Sequence, residues 1–308
     1  MYRDLTKGNI TKGLILFALP MMAGNLFQQF YNIADTLIVG QALGKNALAA
    51  VGSAYTLMTF LTSVFLGLAM GAGALFSIYL GKNDTDSLKS AIVHAFGLIF
   101  AVTLVLNAAV YVFVDPILHF LQIPAQLYAS MREYLVIFFA GLLATSLYNF
   151  LSCLLRAVGN SATPLWFLGI SAVLNIGLDL LFVLVFHWGI AGAAFATIIA
   201  QYVSGVGLLL FVIFRCKELL PEKRHFHWNK EILKEIFDFS ILTCAQQSAM
   251  NFGILLVQRL VDSFGAVTMA AFASPLMKIF VKAQETDVIA CGVRYLRIEG
   301  AFYIGIGC

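Results

Sequence analysis

Charge is what this sequence has least of. Asp, Glu, Lys and Arg make up 11% of its 308 residues, less than half of the about 25% usual in soluble domains. A water-soluble fold of this length cannot cover its core with so few charges, so that class is excluded. The net charge of +3 is small and dispersed, which argues against a nucleic-acid partner. Cysteine is sparse as well: Cys153, Cys216, Cys244, Cys291 and Cys308 are odd in number, scattered, and form no CxxC. Neither a disulfide framework nor a zinc site is expected, and the five read as free thiols serving as small apolar side chains. The apolar run from Leu14 is too long for a leader and lacks a small-residue cleavage pattern, so it is expected to stay as a first span. Gly67, Gly71 and Gly73 are not a phosphate loop, because no strand precedes them and no GK[ST] follows. They read as sites of close helix contact. His94, His119 and His187 are isolated and His225 and His227 fall in a linker; all five read as solvated or hydrogen-bonded.

What is present is apolar. Hydrophobic residues make up 61% of the chain and the mean hydropathy is +0.90. A helix needs about 20 apolar residues to cross a bilayer, and seven stretches qualify: 14–41, 53–80, 91–114, 134–155, 165–186, 190–214 and 236–261. The expected fold is all-α integral membrane, a six-helix N-terminal bundle plus an incomplete second bundle related to it by a parallel repeat. Only residues 187–189 separate the fifth and sixth stretches, which predicts a tight antiparallel pair. A longer hydrophilic segment, CKELLPEKRHFHWNKE, covers 216–231. Three parts follow: an N-terminal lobe over 1–215, a cytoplasmic linker over 216–231, and an incomplete C-terminal lobe over 232–308. With the N-terminus inside, inner loops and span ends hold twelve Lys and Arg against three at outer positions. That bias fixes the expected orientation, in the inner membrane of a cell.

The chain also repeats itself. GKNALAAVGS at 44–53 resembles GAVTMAAFAS at 265–274, 221 residues on. REYL at 132–135 resembles VRYL at 293–296, 161 residues on. The two offsets differ by 60 residues, so the second half is expected to lack about two helices' worth of chain, with the join near 275–287. Six spans precede the restart, which makes the repeat parallel, its axis along the membrane normal.

Within the first span, NLFQQFYNIADTLIVG at 25–40 carries four amides and an acid. Asn25, Gln28 or Gln29, Asn32 and Asp35 share one helical face. A charged side chain at mid-membrane costs about 2.5–3.5 kcal/mol on insertion scales, so a grouped stripe needs partners or water. Interhelical hydrogen bonding accounts for amides; an acid facing a bundle interior points instead to an ion or proton site. Pro20 is expected to kink this helix. In the fifth span Asn175 and Asp179 lie at i, i+4 on one face. Two acids joined by amide oxygens can hold sodium, which needs several oxygen ligands, or a proton, which needs only carboxylates whose charge is disfavoured by burial and like charge. The other reading leaves Asp179 hydrated at the outer end of its span. Thr197 offers a hydroxyl near the same group, with bonding inside its own helix as the default. Tyr134, Asn149 and Ser152 are polar candidates in the fourth span, closed by Arg156 as an inner-face anchor.

ALPMMAGNLFQQFYNIADTLIVGQALGKNALAAVG, then NIGLDLLF and GIAGAAFATIIAQ, resemble the multidrug and toxin extrusion (MATE) transporters, over about residues 6–272. The resemblance implies two six-helix lobes around a central cavity, with organic cations expelled by inward flow of sodium or protons. It implies cation coupling at Asp35, Asn175, Asp179 and Thr197, with Tyr134 and Asn149 lining the same region. Gln28, Tyr31, Asn32 and Tyr148 are further candidates for the cavity wall. No organic cofactor and no metal beyond a coupling sodium is implied, and a monomer in a lipid bilayer is expected. The seventh span, 236–261, has no mid-membrane acid, and the family's eighth and ninth spans are largely absent. An enzyme is not expected: an intramembrane aspartyl protease uses YD and GxGD motifs, whereas the contexts here are IAD and GLD. Two other readings stay open, a non-transporting remnant of such an exporter and a flippase for lipid-linked sugars.

Overall fold

A computed structural model describes residues 10–264, and those residues form a helical bundle. Helices occupy all seven apolar stretches. They are α1 (Ile10–Leu43), α2 (Lys45–Gly81), α3 (Thr85–Phe120), the pair α4 (Ala125–Phe139) and α5 (Leu142–Ala157), α6 (Ala162–Asp179), α7 (Gly189–Arg215) and α8 (Lys230–Asp262). Five of them are long and apolar enough to cross a membrane, and the α4–α5 pair makes a sixth crossing if counted as one bent span. α1 is equally long and carries the polar stripe. The repeat matches at 265–274 and 293–296, and the join at 275–287, lie outside the described residues.

Local chemistry explains the breaks. Gly44, at φ 83°, turns the chain between α1 and α2, a conformation that costs glycine nothing. Asp84 caps α3 by accepting from the Ser87 amide at 3.0 Å. Inside α3, Phe113 leaves helical geometry (φ −107°, ψ 17°) three residues before Pro116, as expected where a proline ring clashes with the preceding turn. Pro20 behaves differently: α1 runs through it as one helix. The fourth apolar stretch is also not one straight helix as the sequence suggested. α4 and α5 meet at a 49° bend centred on Ala140 and Gly141. A Cβ on Gly141 would lie 2.6 Å from Gln201 Oε1 and 3.2 Å from the Phe138 carbonyl. The bend and the missing side chain together let this span press against α7.

α2 is the spine of the bundle, and α8 lies along it. A Cβ on Gly67 would be 2.5 Å from Cys244 Cα, and one on Gly71 would be 2.4 Å from Ser240 Cα. Two glycines one turn apart thus allow backbone-to-backbone contact, the small-residue device of membrane helices. Ser240 Oγ bonds the Leu68 carbonyl at 3.1 Å across the same seam, and the Tyr79 hydroxyl donates to Glu235 near its linker end.

The linker is folded, not slack. It makes two short 3₁₀ turns, Lys217–Leu219 and Lys223–Phe226, and clasps the start of α3. Lys89 pairs with Glu222 at 3.2 Å and Arg224 with Asp86 at 2.8 Å, while the buried His94 ring accepts from the Asn229 amide at 3.0 Å. The Lys89 hydrogen bond and the Arg224 charge hold the Glu222 carboxyl below its usual range. That contact is therefore present at neutral pH and is lost as pH falls through the lowered value. Asn229 caps α8, accepting from the amides of Glu231 at 2.9 Å and Ile232 at 3.2 Å. Asn229→Ala is expected to cost about 1 kcal/mol of stability, read as a lower melting temperature in detergent. Lys89→Met, which removes the half-buried cation from an exposed Glu222, is expected to lower the melting temperature less than Asn229→Ala does.

Candidate functional site

The polar face of α1 runs from exposed at Asn25, Gln28 and Gln29 to half-buried at Asn32 and buried at Asp35. Asp35 is buried, and so are Asn175 and Asp179 of α6 and Thr197 of α7. Four sequence-predicted residues from three helices thus converge. Asp179 is 0% exposed, so the reading of a hydrated outer-end acid is overturned. It is the last α-helical residue of α6, and the chain continues at once into a π-helical turn, Leu180–Val185. Such turns interrupt the regular ladder and recur at functional sites.

The site is rich in acceptors and poor in donors. The Asn175 amide donates to Thr197 Oγ1 at 3.4 Å, and the Thr197 hydroxyl donates to the Ala193 carbonyl at 3.0 Å. Asp35 and Asp179 are buried neighbours that act on each other's charge. With both ionised, however, neither can donate to the other. Asp35 Oδ1, both Asp179 oxygens and Asn175 Oδ1 are buried with no partner. Buried acceptors without donors are strongly penalised. Two remedies fit: a proton shared between the carboxyls, or a small cation among the oxygens. The donor set suits a hard monovalent ion equally well, since all its atoms are oxygens.

Beside this group lies a cavity of about 670 Å³. Its wall includes Gln28, Tyr31, Asn32 and Asp35 from α1, Tyr134 from α4, Asn149 from α5 and Thr197 from α7. Asp35 and Thr197 border the cavity, whereas Asn175 and Asp179 stand behind them. Tyr148 departs from expectation. It is not on the cavity wall, and its hydroxyl donates to the Pro164 carbonyl at 3.0 Å. Adjacent helical residues point about 100° apart, so Asn149 facing the cavity turns Tyr148 away. Asn25 of the stripe is likewise outside the wall.

Several wall residues escaped the sequence reading. Tyr55 of α2 accepts from Asn32 at 3.1 Å, and α8 contributes Asn251 and Gln258. One residue past the predicted seventh span, Asp262 is 1% exposed. It adds a buried acid at the end of α8, beyond the stretch read as having no mid-membrane acid. A signal existed: Asn251, Gln258 and Asp262 stand at i, i+7 and i+11 on one helical face.

Long apolar helices enclosing a polar cavity define a multi-pass helical membrane protein. The comparisons make it specific: the MatE family model matches residues 20–181, over half of the chain, and the chain belongs to the MatE family. A Bacillus subtilis relative, "Probable multidrug resistance protein YpnP", is 32% identical over 271 residues, covering 88% of this chain and 60% of its own length. The Staphylococcus aureus "Multidrug export protein MepA" is 26% identical, with 86% and 59% covered. The chain thus spans about 60% of the length of these relatives. A crystal structure of MATE in complex with MaD5 superposes with a TM-score of 0.77 at 23% identity, covering 88% of this chain and 62% of that one. An outward-facing multidrug resistance MATE family transporter gives 0.73 at 21% identity, with 97% and 72% covered.

Proposed function

We propose that the chain forms the coupling lobe of an exporter of organic cations, driven by inward flow of protons or sodium. The observation that carries this reading is the set of buried, donor-less oxygens on Asp35, Asn175 and Asp179 beside a polar cavity. Entry of a proton or sodium ion between Asp35 and Asp179 relieves that deficit; its departure restores it. Because Asp35 sits on both the ion group and the cavity wall, it links occupancy of one to the state of the other. An organic cation in the cavity and a coupling ion compete for the same negative charge, which is the requirement for exchange. Tyr31, Tyr134 and Asn149 supply aromatic faces and an amide for a cationic guest. The N-terminus is cytoplasmic in this reading, the linker over 216–231 lies on the same side of the inner membrane, and the lobe works as a monomer.

A lipid-linked sugar flippase is less well supported. Its anionic cargo needs basic groups, and among the described residues the cavity wall carries Asp35 and no Lys, Arg or His. The test is accumulation of a fluorescent organic cation in cells expressing the chain. Lower accumulation than in empty-vector cells is expected; equal accumulation favours the non-transporting remnant.

A further inference from the structure

A third buried acid lies in the seam between α2 and α8, at the end remote from the linker. Asp262 Oδ1 accepts from Ser53 Oγ and from Gln258 Nε2, both at 2.7 Å. Gln258 Nε2 also reaches Ser53 Oγ at 2.8 Å, and the Thr56 hydroxyl donates to Gln258 Oε1 at 3.3 Å. In this cluster one atom is left over: Asp262 Oδ2 is buried without a partner.

Among the described residues, no counter-charge is paired with it. α2 and α3 pack on α8. On α8 itself, Arg259 is stacked over Phe120, its Cζ 4.5 Å from the ring centre. On α2, Lys45 stands two turns before Ser53, and Tyr55 accepts from Asn32. At the near end of α3, His119 Nδ1 lies 2.8 Å from the Asp115 carbonyl, and Asp115 pairs with Arg132 at 2.9 Å. The described groups that hydrogen-bond the Asp262 carboxyl are Ser53 and Gln258. A carboxylate shut away from water with one bare oxygen is unfavourable. A proton on Oδ2 removes the charge and leaves Oδ1 to its two donors.

We propose that Asp262 is a proton-binding site of the α2–α8 seam, holding a proton while the remote end is closed and releasing it when that end parts. The O–H bond forms at Oδ2 with a proton from water at the remote mouth, and the proton returns there on opening. Closure and proton binding then favour each other reciprocally. Lower pH closes this end, by up to about tenfold per pH unit for one proton. The consequence for transport rests on the exporter reading: the same external protons that load Asp35 and Asp179 would also shut the mouth behind them.

The test uses the purified chain at rest in lipid nanodiscs, so failure of export in cells bears on neither readout. Infrared spectra at mildly acidic pH are expected to contain a protonated-carboxyl C=O component that Asp262→Asn removes and that Asp35→Asn and Asp179→Asn leave in place. An unchanged spectrum in Asp262→Asn overturns the proposal. Loss of the component on adding sodium chloride, but not choline chloride, also overturns it and assigns the site to a metal cation. Closure is read from labelling of Ala49→Cys, fully buried one turn before Ser53 and off the cavity wall, by a charged maleimide, quantified at that peptide by mass. The ratio of its rate with Asp262 to its rate with Asp262→Asn cancels thiol chemistry. The ratio is expected to rise with pH by up to about tenfold per unit; a flat ratio overturns the link to closure. Where Asp262→Asn does not fold, Ser53→Ala and Gln258→Leu each remove a donor to Oδ1 and are expected to shift the frequency of the same component. No shift in either overturns the assignment.

Discussion

Asp35→Asn is expected to abolish the effect of the coupling ion on the cavity while leaving the fold intact. The amide keeps the size of the carboxyl and adds a donor that Asp179 can accept, so the buried pair loses its deficit of hydrogens. For the same reason it loses its appetite for a proton or sodium ion. Coupling between two sites of one protein is typically about 1–3 kcal/mol, a factor of ~5–150 in affinity. Affinity of the wild-type chain for a fluorescent organic cation, measured in nanodiscs, is therefore expected to weaken by about this factor when pH is lowered or sodium is added. In Asp35→Asn the curve flattens. Asp179→Asn is expected to behave alike, because either acid alone is half of the pair. A variant that still responds as fully as wild type would move the ion site elsewhere.

Much of this site was legible in the sequence because a membrane span magnifies polar signals. Asn, Gln and Asp on one face of a greasy helix have few places to go, and α1, α6 and α7 bury Asp35, Asn175, Asp179 and Thr197, the set that the family resemblance implied. What escaped was of three physical kinds. Helical phase is sharp: a shift of one residue separates Asn149 on the wall from Tyr148 against Pro164. Backbone departures leave no compositional trace. The bend at Gly141 depends on how close α7 comes, and the π turn after Asp179 is made by a run, LLFVLV, that reads as any apolar helix. Finally, span edges are poorly marked by hydropathy. Residue 262 fell just past the assigned end of the seventh stretch, and an acid at an edge reads as solvated. Only the partners Ser53 and Gln258, one of them 209 residues away in sequence, reveal that it is enclosed.

The seam that encloses it makes the second large prediction. Gly71→Leu places a branched side chain where even a Cβ would lie 2.4 Å from Ser240 Cα and 2.6 Å from the Phe239 carbonyl. Those neighbours are backbone, so no rotamer change relieves the clash and α8 has to move bodily. Overpacking usually costs about 1–3 kcal/mol, and a seam with backbone on both sides falls at or above the upper end. Ser53 stands 18 residues before Gly71 on the same helix, roughly 27 Å away at 1.5 Å per residue, yet a rigid α8 carries the displacement to Gln258 and Asp262. Gly71→Leu is therefore expected to lower the melting temperature sharply and to raise maleimide labelling of Ala49→Cys at neutral pH. Gly97→Leu is the control, since nothing lies within 4 Å of a Cβ built there. Equal melting temperatures for the two variants would mean that α2 and α8 do not meet through their glycines. A drop for Gly71→Leu without added labelling would mean that the two ends of the seam move independently.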